Sequence, residues 1–329
     1  MISRRDVLFA GGVTALMPQW ARAKQGGRVW RLGFLTPSLP YKPGEPNLYG
    51  IAFVQEMQAQ GFTYGVDFTA ESRSAEGDPA RMPALAAELA KSVDILLPIS
   101  GSAARAAQLA SKTLPVVMIG VHDPVGMGLV PSLARPGGNL TGVATFYGDL
   151  MPKQIELLKA VAPKVTRLGL LSNEGVSNYA ELLKRIRTVA TANGLQMQLF
   201  SVNDETQIAR AFEAMARERI GEFIAAADPL FIAHRREVAQ LAIARRMASV
   251  FANREVVAAG GLVSYGESGT GMFAQAARYV ARIFKGAKPG DLPIEQPTTF
   301  HLAFNRATAR AIGVAAPQEI LIRADEVID

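Results

Sequence analysis

The chain has no cysteine and only three histidines in 329 residues. The absence of cysteine excludes disulfides, thiolate metal sites and a cysteine nucleophile. His122, His234 and His301 do not have the spacing that is typical of a zinc-dependent hydrolase. The segment Gly266–Thr270 begins like the G-x-S-x-G motif of serine hydrolases but ends in threonine. The sequence therefore favours neither a metal site nor an enzyme, and we expect no cofactor.

Long apolar runs and a strong charge of one sign are also missing. Apolar residues make up 49% of the chain and charged residues 19%, which is typical of a packed globular protein and argues against disorder. No internal stretch reaches the ~18–20 apolar residues that a membrane-spanning helix needs. The net charge is +6, but the basic residues are scattered and no aromatic residues are interleaved with them. We therefore expect no nucleic-acid partner.

The N-terminal segment MISRRDVLFAGGVTALMPQWARA, residues 1–23, has the pattern of an export signal. A charged start at Arg4 and Arg5 precedes a short apolar stretch, and Ala21–Ala23 has the pattern of a cleavage site. The paired arginines resemble a twin-arginine signal, and the Sec route is the alternative. Cleavage near Ala23 removes three arginines and one aspartate, so the net charge falls from +6 to +4. We expect a periplasmic protein without direct membrane insertion after cleavage.

Short aliphatic runs alternate with longer helical patterns along the rest of the chain. This alternation forms two series of similar length that divide near residue 145, and each predicts a parallel sheet with helices on both faces. The tail predicts a return to the first series through an amphipathic helix. The predicted fold class is therefore α/β, with two doubly wound parallel-sheet lobes. The first lobe should comprise 24–146 plus about 267–290, and the second 147–266 plus about 291–329.

One glycine motif has two interpretations. Gly269–Ala274 matches the G-x-G-x-x-A pattern of a dinucleotide site, and Asp291 follows about twenty residues later. However, the match lies after both series of strands, and Asp291 falls in a Pro-Gly loop with no strand to place it near a ribose. We therefore interpret this motif as the start of a helix.

Polar or small residues follow nearly every predicted strand. Open α/β sheets bind ligands outside the carboxyl ends of their strands, and two facing lobes place those ends on opposite sides of one cleft. Helix capping explains each residue taken singly, but the repetition predicts a ring around a small ligand. The candidate ligand-binding residues are Ser38, Ser100, Gly101, Ser102, His122, Asp123, Thr145, Phe146, Ser172, Asn173, Asn178, Asp228, Asn253 and Tyr265.

Three kinds of contact are expected within this ring. The backbone N–H groups of residues 100–102 begin a helix and can hold an anionic group. Asp228 can accept hydrogen bonds from a ligand ammonium group. Phe146 and Tyr265 can cover an apolar body, although core packing explains these aromatic residues equally well.

Five segments together resemble the substrate-binding proteins of ABC transporters, in the family that includes tryptophan- and tyrosine-binding members. The segments are AEGDPARMPALAAEL at 75–89, DPVGMGLVPSLARPGGNLTGV at 123–143, AGGLVSYG at 259–266, KPGDLPIEQPT at 288–298 and RADEVI at 323–328. The resemblance implies a type I periplasmic binding fold with a hinge of three crossings. It also implies closure around one small molecule, a membrane permease as partner, and no catalysis.

The glycine- and proline-rich run 119–142 has a structural interpretation in such a fold. His122 and Asp123 would line the cleft, and the following residues would route the chain round the rim of the first lobe and back into a strand. The prolines restrict φ along this excursion, and the glycines permit its tight turns.

The resemblance leaves the ligand open between two classes. Amino-acid-binding members are similar to this chain at Asn173, Glu174 and Asn178. They have an Asp-Asn-Thr run where this chain has Asp228-Pro229-Leu230, so the expected ligand is an aromatic amino acid or an aromatic or small organic acid. A binding subunit for a sensor is the main alternative function, and an exported α/β enzyme is a further one.

Overall fold

The computed structural model describes residues 28–37, 47–76, 78–145, 147–173 and 179–329. The predicted export signal and the candidates Ser38, Phe146 and Asn178 lie outside the described residues. Within these ranges, every helix is too short or too polar to cross a bilayer.

Five parallel strands form the first sheet, in the order β2-β1-β3-β4-β5. The strands are β1 (Trp30–Thr36), β2 (Phe68–Ser74), β3 (Ile95–Pro98), β4 (Val116–His122) and β5 (Leu140–Thr145). The helices between them are α1 (Leu48–Ala59), α2 (Met82–Leu89) and α3 (Gly101–Ala110). Alternate residues of the buried β3 face opposite sides, so that Leu96 packs with α2 and α3 while Ile95 and Leu97 pack with α1.

Seven strands form the second sheet, in the order β12-β11-β10-β9-β8-β6-β7. The strands are β6 (Arg167–Ser172), β7 (Gln196–Ser201), β8 (Glu222–Ala225), β9 (Ala248–Phe251), β10 (Val263–Glu267), β11 (Phe300–Asn305) and β12 (Glu326–Ile328). The remaining helices are α4 (Tyr147–Val161), α5 (Tyr179–Ala192), α6 (Ile208–Arg217), α7 (Pro229–Ala233), α8 (Arg235–Ala244), α9 (Arg254–Ala258), α10 (Gly269–Phe284), α11 (Arg306–Ile312) and α12 (Gln318–Arg323). The prediction of two α/β lobes is confirmed.

The chain passes between the sheets three times: after β5, after β10 and before β11. Helix α10 leaves the second sheet and packs against α1 in the core of the first, where Tyr279 is buried. Leu292 and Ile294 also lie in first-lobe cores, and Glu295 pairs with Val143 beside β5. We therefore propose that the first lobe extends to about Glu295, rather than ending near residue 290.

Strand β11 departs from the predicted parallel arrangement, because it runs antiparallel to β10. The chain leaves the second sheet at the carboxyl end of β10 and returns at the same edge, where Glu267 pairs with Phe300. A strand that enters from this edge can only run in the opposite direction. The reversal therefore follows from the third crossing, which replaces the usual crossover helix.

The run 119–142 folds along helix α3, as the interpretation of a rim excursion requires. Arg105 donates to the carbonyl of Met127, and Gln108 donates to Leu129 O at 2.7 Å. Leu129 itself is buried, and Gly142 brings the run back beside β4. Gly142 has φ +128°, and a Cβ on it would lie 2.2 Å from Met118 O, so this position requires glycine.

Candidate functional site

Three adjacent strands bring the first-lobe candidates to one edge of the sheet. Ser100 follows β3 and caps α3, accepting the Ala103 N–H at 3.3 Å. His122 and Thr145 are register partners at the ends of β4 and β5, and the Asp123 N–H donates to Thr145 O at 3.2 Å. Ser102 lies 3.1 Å from Ser100, hydroxyl to hydroxyl. The order β3-β4-β5 therefore places all the described first-lobe candidates together.

Two of these residues have strained backbones. Ser100 has φ +128° and Asp123 has φ +40°, a region that residues with a side chain rarely occupy. Each such conformation costs about 1–3 kcal/mol and persists where the surrounding structure fixes it, often at ligand sites. At Ser100 the strained turn lets α3 begin directly after β3, so the first N–H groups of α3 lie at the carboxyl edge of the sheet.

Thr145 carries a buried hydroxyl that has no hydrogen-bond partner among the described residues. Its side chain is 2% exposed, and Oγ1 has no hydrogen bond to any part of the chain that the structure describes. A buried polar atom left unpaired costs about 1–3 kcal/mol. Its position at the end of β5, where the chain enters the hinge, makes this hydroxyl a natural partner for a polar atom of a ligand or a water.

The second-lobe candidates also lie on adjacent strands, β6, β8 and β9. Ser172 and Asn173 end or follow β6, and Asp228 follows β8. The Asp228 carboxylate accepts the Leu230 N–H at 2.8 Å, which caps α7, and it accepts a second hydrogen bond from the Asn173 side chain. The structure therefore brings Asn173 and Asp228 into direct contact.

Asp228 is a buried carboxylate that has no cationic partner among the described residues. Only 9% of the residue is exposed, and burial raises the pKa of its carboxyl group, an effect that the hydrogen bonds from Leu230 and Asn173 partly oppose. No arginine or lysine among the described residues forms an ion pair with it. An ammonium group brought by a ligand would supply the missing charge.

Asn253 follows β9, whereas Tyr265 lies within β10, and the two residues differ in their surroundings. Asn253 precedes α9, and its side chain does not cap that helix. The Tyr265 ring stacks on Phe300 with centroids 5.8 Å apart and lines a cavity of about 280 Å³ beside the hinge. The structure therefore groups Tyr265 with Phe300 and the hinge rather than with Asn173 and Asp228.

The carboxyl edges of the two sheets face each other. Tyr49 lies in the first turn of α1, after β1, and its hydroxyl donates to Glu255 in the first turn of α9, after β9. This contact joins the two lobes across the cleft between the two sets of candidates. The sequence pattern gives no sign of it, because five-residue α9 is too short to show a helical period.

The described residues offer no group of three or more histidine, aspartate or glutamate side chains that could hold a metal ion. The described candidates offer groups that form hydrogen bonds. They combine hydroxyls, an amide, one buried carboxylate and the N-terminus of a ten-residue helix. These groups suit a small ligand with charges of both signs.

Residues 50–328 match the family of ABC transporter substrate-binding proteins, and the chain belongs to that family. The family consists of extracytoplasmic binding subunits of transporters, which hold a small molecule and act with a permease. Its members are binding proteins rather than enzymes. The resemblance that the sequence motifs indicated is thereby confirmed.

Similar proteins agree with this assignment. The chain is 23% identical over 261 residues to a tyrosine-binding protein from Clostridioides difficile, covering 79% of this chain and 75% of the relative. The fold is similar to that of a conserved domain protein from Vibrio cholerae (TM-score 0.83, 24% identity), covering 91% of this chain and 100% of that one. It is also similar to that of an ABC domain from Streptococcus pneumoniae in complex with L-Trp (TM-score 0.82, 24% identity), covering 92% and 100%.

Proposed function

We propose that the protein captures an aromatic L-amino acid between its lobes and delivers it to the permease of an ABC transporter. The observation that carries this proposal is Asp228, a buried carboxylate at the cleft edge with no cationic partner in the part of the chain that the structure describes. An isolated ionised carboxylate is costly to bury unless a partner neutralises it. The α-ammonium group of an amino acid has the charge and size to do so.

The opposite lobe offers a partner for the α-carboxylate of the same ligand. The first N–H groups of α3, at Gly101 and Ser102, lie at the carboxyl edge of the first sheet. The N-terminus of a helix favours a negative charge because its N–H groups have no partner within the helix. A ligand that bridges α3 and Asp228 would contact both lobes, and this favours the closed form.

The names of the relatives support the same ligand class. One relative binds tyrosine, and one solved structure of this fold holds L-Trp.

One feature favours a second candidate, an aromatic or small organic acid without an amine. Residues 229 and 230 are proline and leucine, where the resemblance to amino-acid-binding members of the family implies polar residues. Proline at 229 also removes an N–H from the start of α7.

Isothermal titration calorimetry with L-tryptophan, L-tyrosine and L-phenylalanine tests the role of Asp228. We expect Asp228→Ala to weaken binding by about 2–5 kcal/mol, because the ligand ammonium would lose its buried partner. Asp228→Asn should also weaken binding while it keeps the cap on Leu230, since asparagine is a good N-cap residue.

Asp204→Asn is the matched control. Asp204 caps a short helical turn in the same lobe by accepting the Thr206 N–H at 2.9 Å, and its carboxylate is exposed. It should leave the affinity unchanged. Unchanged affinity in Asp228→Asn would reject the ammonium contact, whereas the absence of binding to any of the three amino acids in the wild type would reject the ligand class.

The cellular setting is part of the proposal. The segment 1–23 supports export with cleavage near Ala23, which would leave the mature protein in the periplasm. Uptake through a permease is favoured over service to a sensor by the family match. The protein would bind its ligand without altering it.

A further inference from the structure

A tyrosine of the first lobe makes a hydrogen bond to the second lobe. The Tyr49 hydroxyl, in the first turn of α1, donates to the carboxylate of Glu255 in α9. The two residues are separated by 206 positions in the sequence and belong to opposite lobes. Because the two residues lie on different lobes, a movement that draws these parts of the lobes apart would break the contact.

Helix α10 of the first lobe fixes the orientation of the Tyr49 ring. The ring stacks on Phe273 of α10 with centroids 5.1 Å apart and an interplanar angle of 18°. A Cβ on Gly269 would lie 2.6 Å from the Tyr49 ring, so glycine at that position gives the ring its space. These neighbours belong to α10, which follows the second crossing. The orientation of the ring is therefore set by the hinge-side helix of its own lobe.

The backbone that carries Glu255 is also fixed, by an ion pair of the neighbouring Arg254. Arg254, the residue before Glu255, makes two hydrogen bonds to Glu326 in β12, at 2.7 and 2.5 Å. This bidentate pair ties the start of α9 to the edge strand of the second sheet. The residue before Arg254 is Asn253, a candidate ligand-binding residue whose side chain does not cap α9. A contact at Glu255 thus lies within two residues of the proposed site.

We propose that Tyr49 and Glu255 form an interlobe latch that stabilises the closed form of the protein, including the form without ligand. Hydrogen bonds to a charged group are about twice as strong as neutral ones, and both partners here are pre-oriented. The latch raises the population of the closed form, and this effect does not depend on the identity of the ligand.

The absence of cysteine allows the distance between the lobes to be measured with site-specific spin labels. Because the chain has no cysteine, spin labels can be attached only where cysteine is introduced. Leu109 in α3 is 68% exposed and Ile322 in α12 is 74% exposed, one in each lobe. Pulsed electron paramagnetic resonance on Leu109→Cys/Ile322→Cys, without ligand, would give the distribution of interlobe distances.

We expect a short-distance population in the labelled parent protein. Tyr49→Phe, which removes only the hydroxyl, should lower the ratio of closed to open forms about tenfold, the scale expected for a hydrogen bond to a charged group. Glu255→Ala should have a similar effect from the other lobe. The double variant should match either single variant, because both remove the same interaction.

Tyr64→Phe is the control, since Tyr64 packs edge-on against Phe68 within the first lobe. It should leave the distribution unchanged. A parent protein without the short-distance population would overturn the proposal, and so would a Tyr49→Phe variant whose ratio of closed to open forms equals that of the parent. Because no ligand is added, the result is independent of whether the proposed ligand class is correct.

Discussion

At the scale of single residues, two buried aspartates illustrate how a structural carboxylate differs from one available to a ligand. Asp94 is 6% exposed and accepts hydrogen bonds from the Arg31 backbone at 2.8 Å and from the guanidinium groups of Arg31 and Arg28. Burial opposes ionisation of Asp94, but these hydrogen bonds outweigh it and lower the pKa of the carboxyl group. For Asp228, the effect of burial exceeds that of the hydrogen bonds from Leu230 and Asn173, and the pKa of the carboxyl group is raised.

We expect Asp94→Asn to lower the free energy of unfolding at pH 7 by about 1–3 kcal/mol, because arginine donors would lose a charged acceptor. A carboxyl whose pKa is lowered on folding stabilises the protein above its unfolded pKa of about 3.9 and loses that contribution as the pH falls through the folded value. Urea denaturation of both proteins at pH 7 and near pH 3 would therefore show a difference that shrinks in acid. An equal difference at both pH values would contradict this account.

The position of Asp228 beyond a strand was predictable from the sequence, but its partners were not. A strand pattern followed by Asp-Pro indicates a capped helix, and α7 begins as expected. The hydrogen bond to Asn173 depends on the pairing of β6 with β8, which a single sequence does not specify. It was equally unpredictable that the Thr145 hydroxyl has no hydrogen-bond partner in the described part of the chain, since the polarity of a residue does not reveal whether its side chain finds a partner.

At the scale of secondary-structure elements, alternation of strands and helices predicted most of the fold, and the exceptions have local causes. Helix α9 and strand β12 have five and three residues, too few for a period to emerge. The antiparallel β11 follows from the side at which the chain returns to the second sheet, which is a property of the hinge rather than of the strand.

The glycine-rich run allows a direct test of local packing. We expect Gly142→Ala to destabilise the protein by about 3 kcal/mol or more, because its Cβ would lie 2.2 Å from Met118 O and φ is +128°. Gly137→Ala is the matched control, with φ +64° and open space around it, and should cost about 1 kcal/mol. Chemical denaturation of both variants measures the difference, and equal losses would mean that the close approach of β4 and β5 is not the controlling factor.

At the scale of the whole molecule, the two lobes meet at edges that carry complementary features. The first lobe offers the N-terminus of α3, and the second offers the buried Asp228 carboxylate. The Tyr49–Glu255 contact shows that these edges face each other. The sequence indicated two lobes and an interlobe site, but it did not indicate which side chains bridge the lobes, because α1 and α9 are brought together only by the three crossings.

The central claim is that the cleft holds a molecule with both an α-ammonium and a carboxylate group. Native mass spectrometry of the mature protein tests it most directly. L-tryptophan, L-tyrosine and L-phenylalanine would be added singly, and L-tryptophan would be compared with indole-3-propionic acid, which lacks the amine. We predict one bound molecule per chain for at least one of the amino acids and no comparable binding of the acid. Equal binding of the acid, or no binding of any of the three amino acids, would contradict the account.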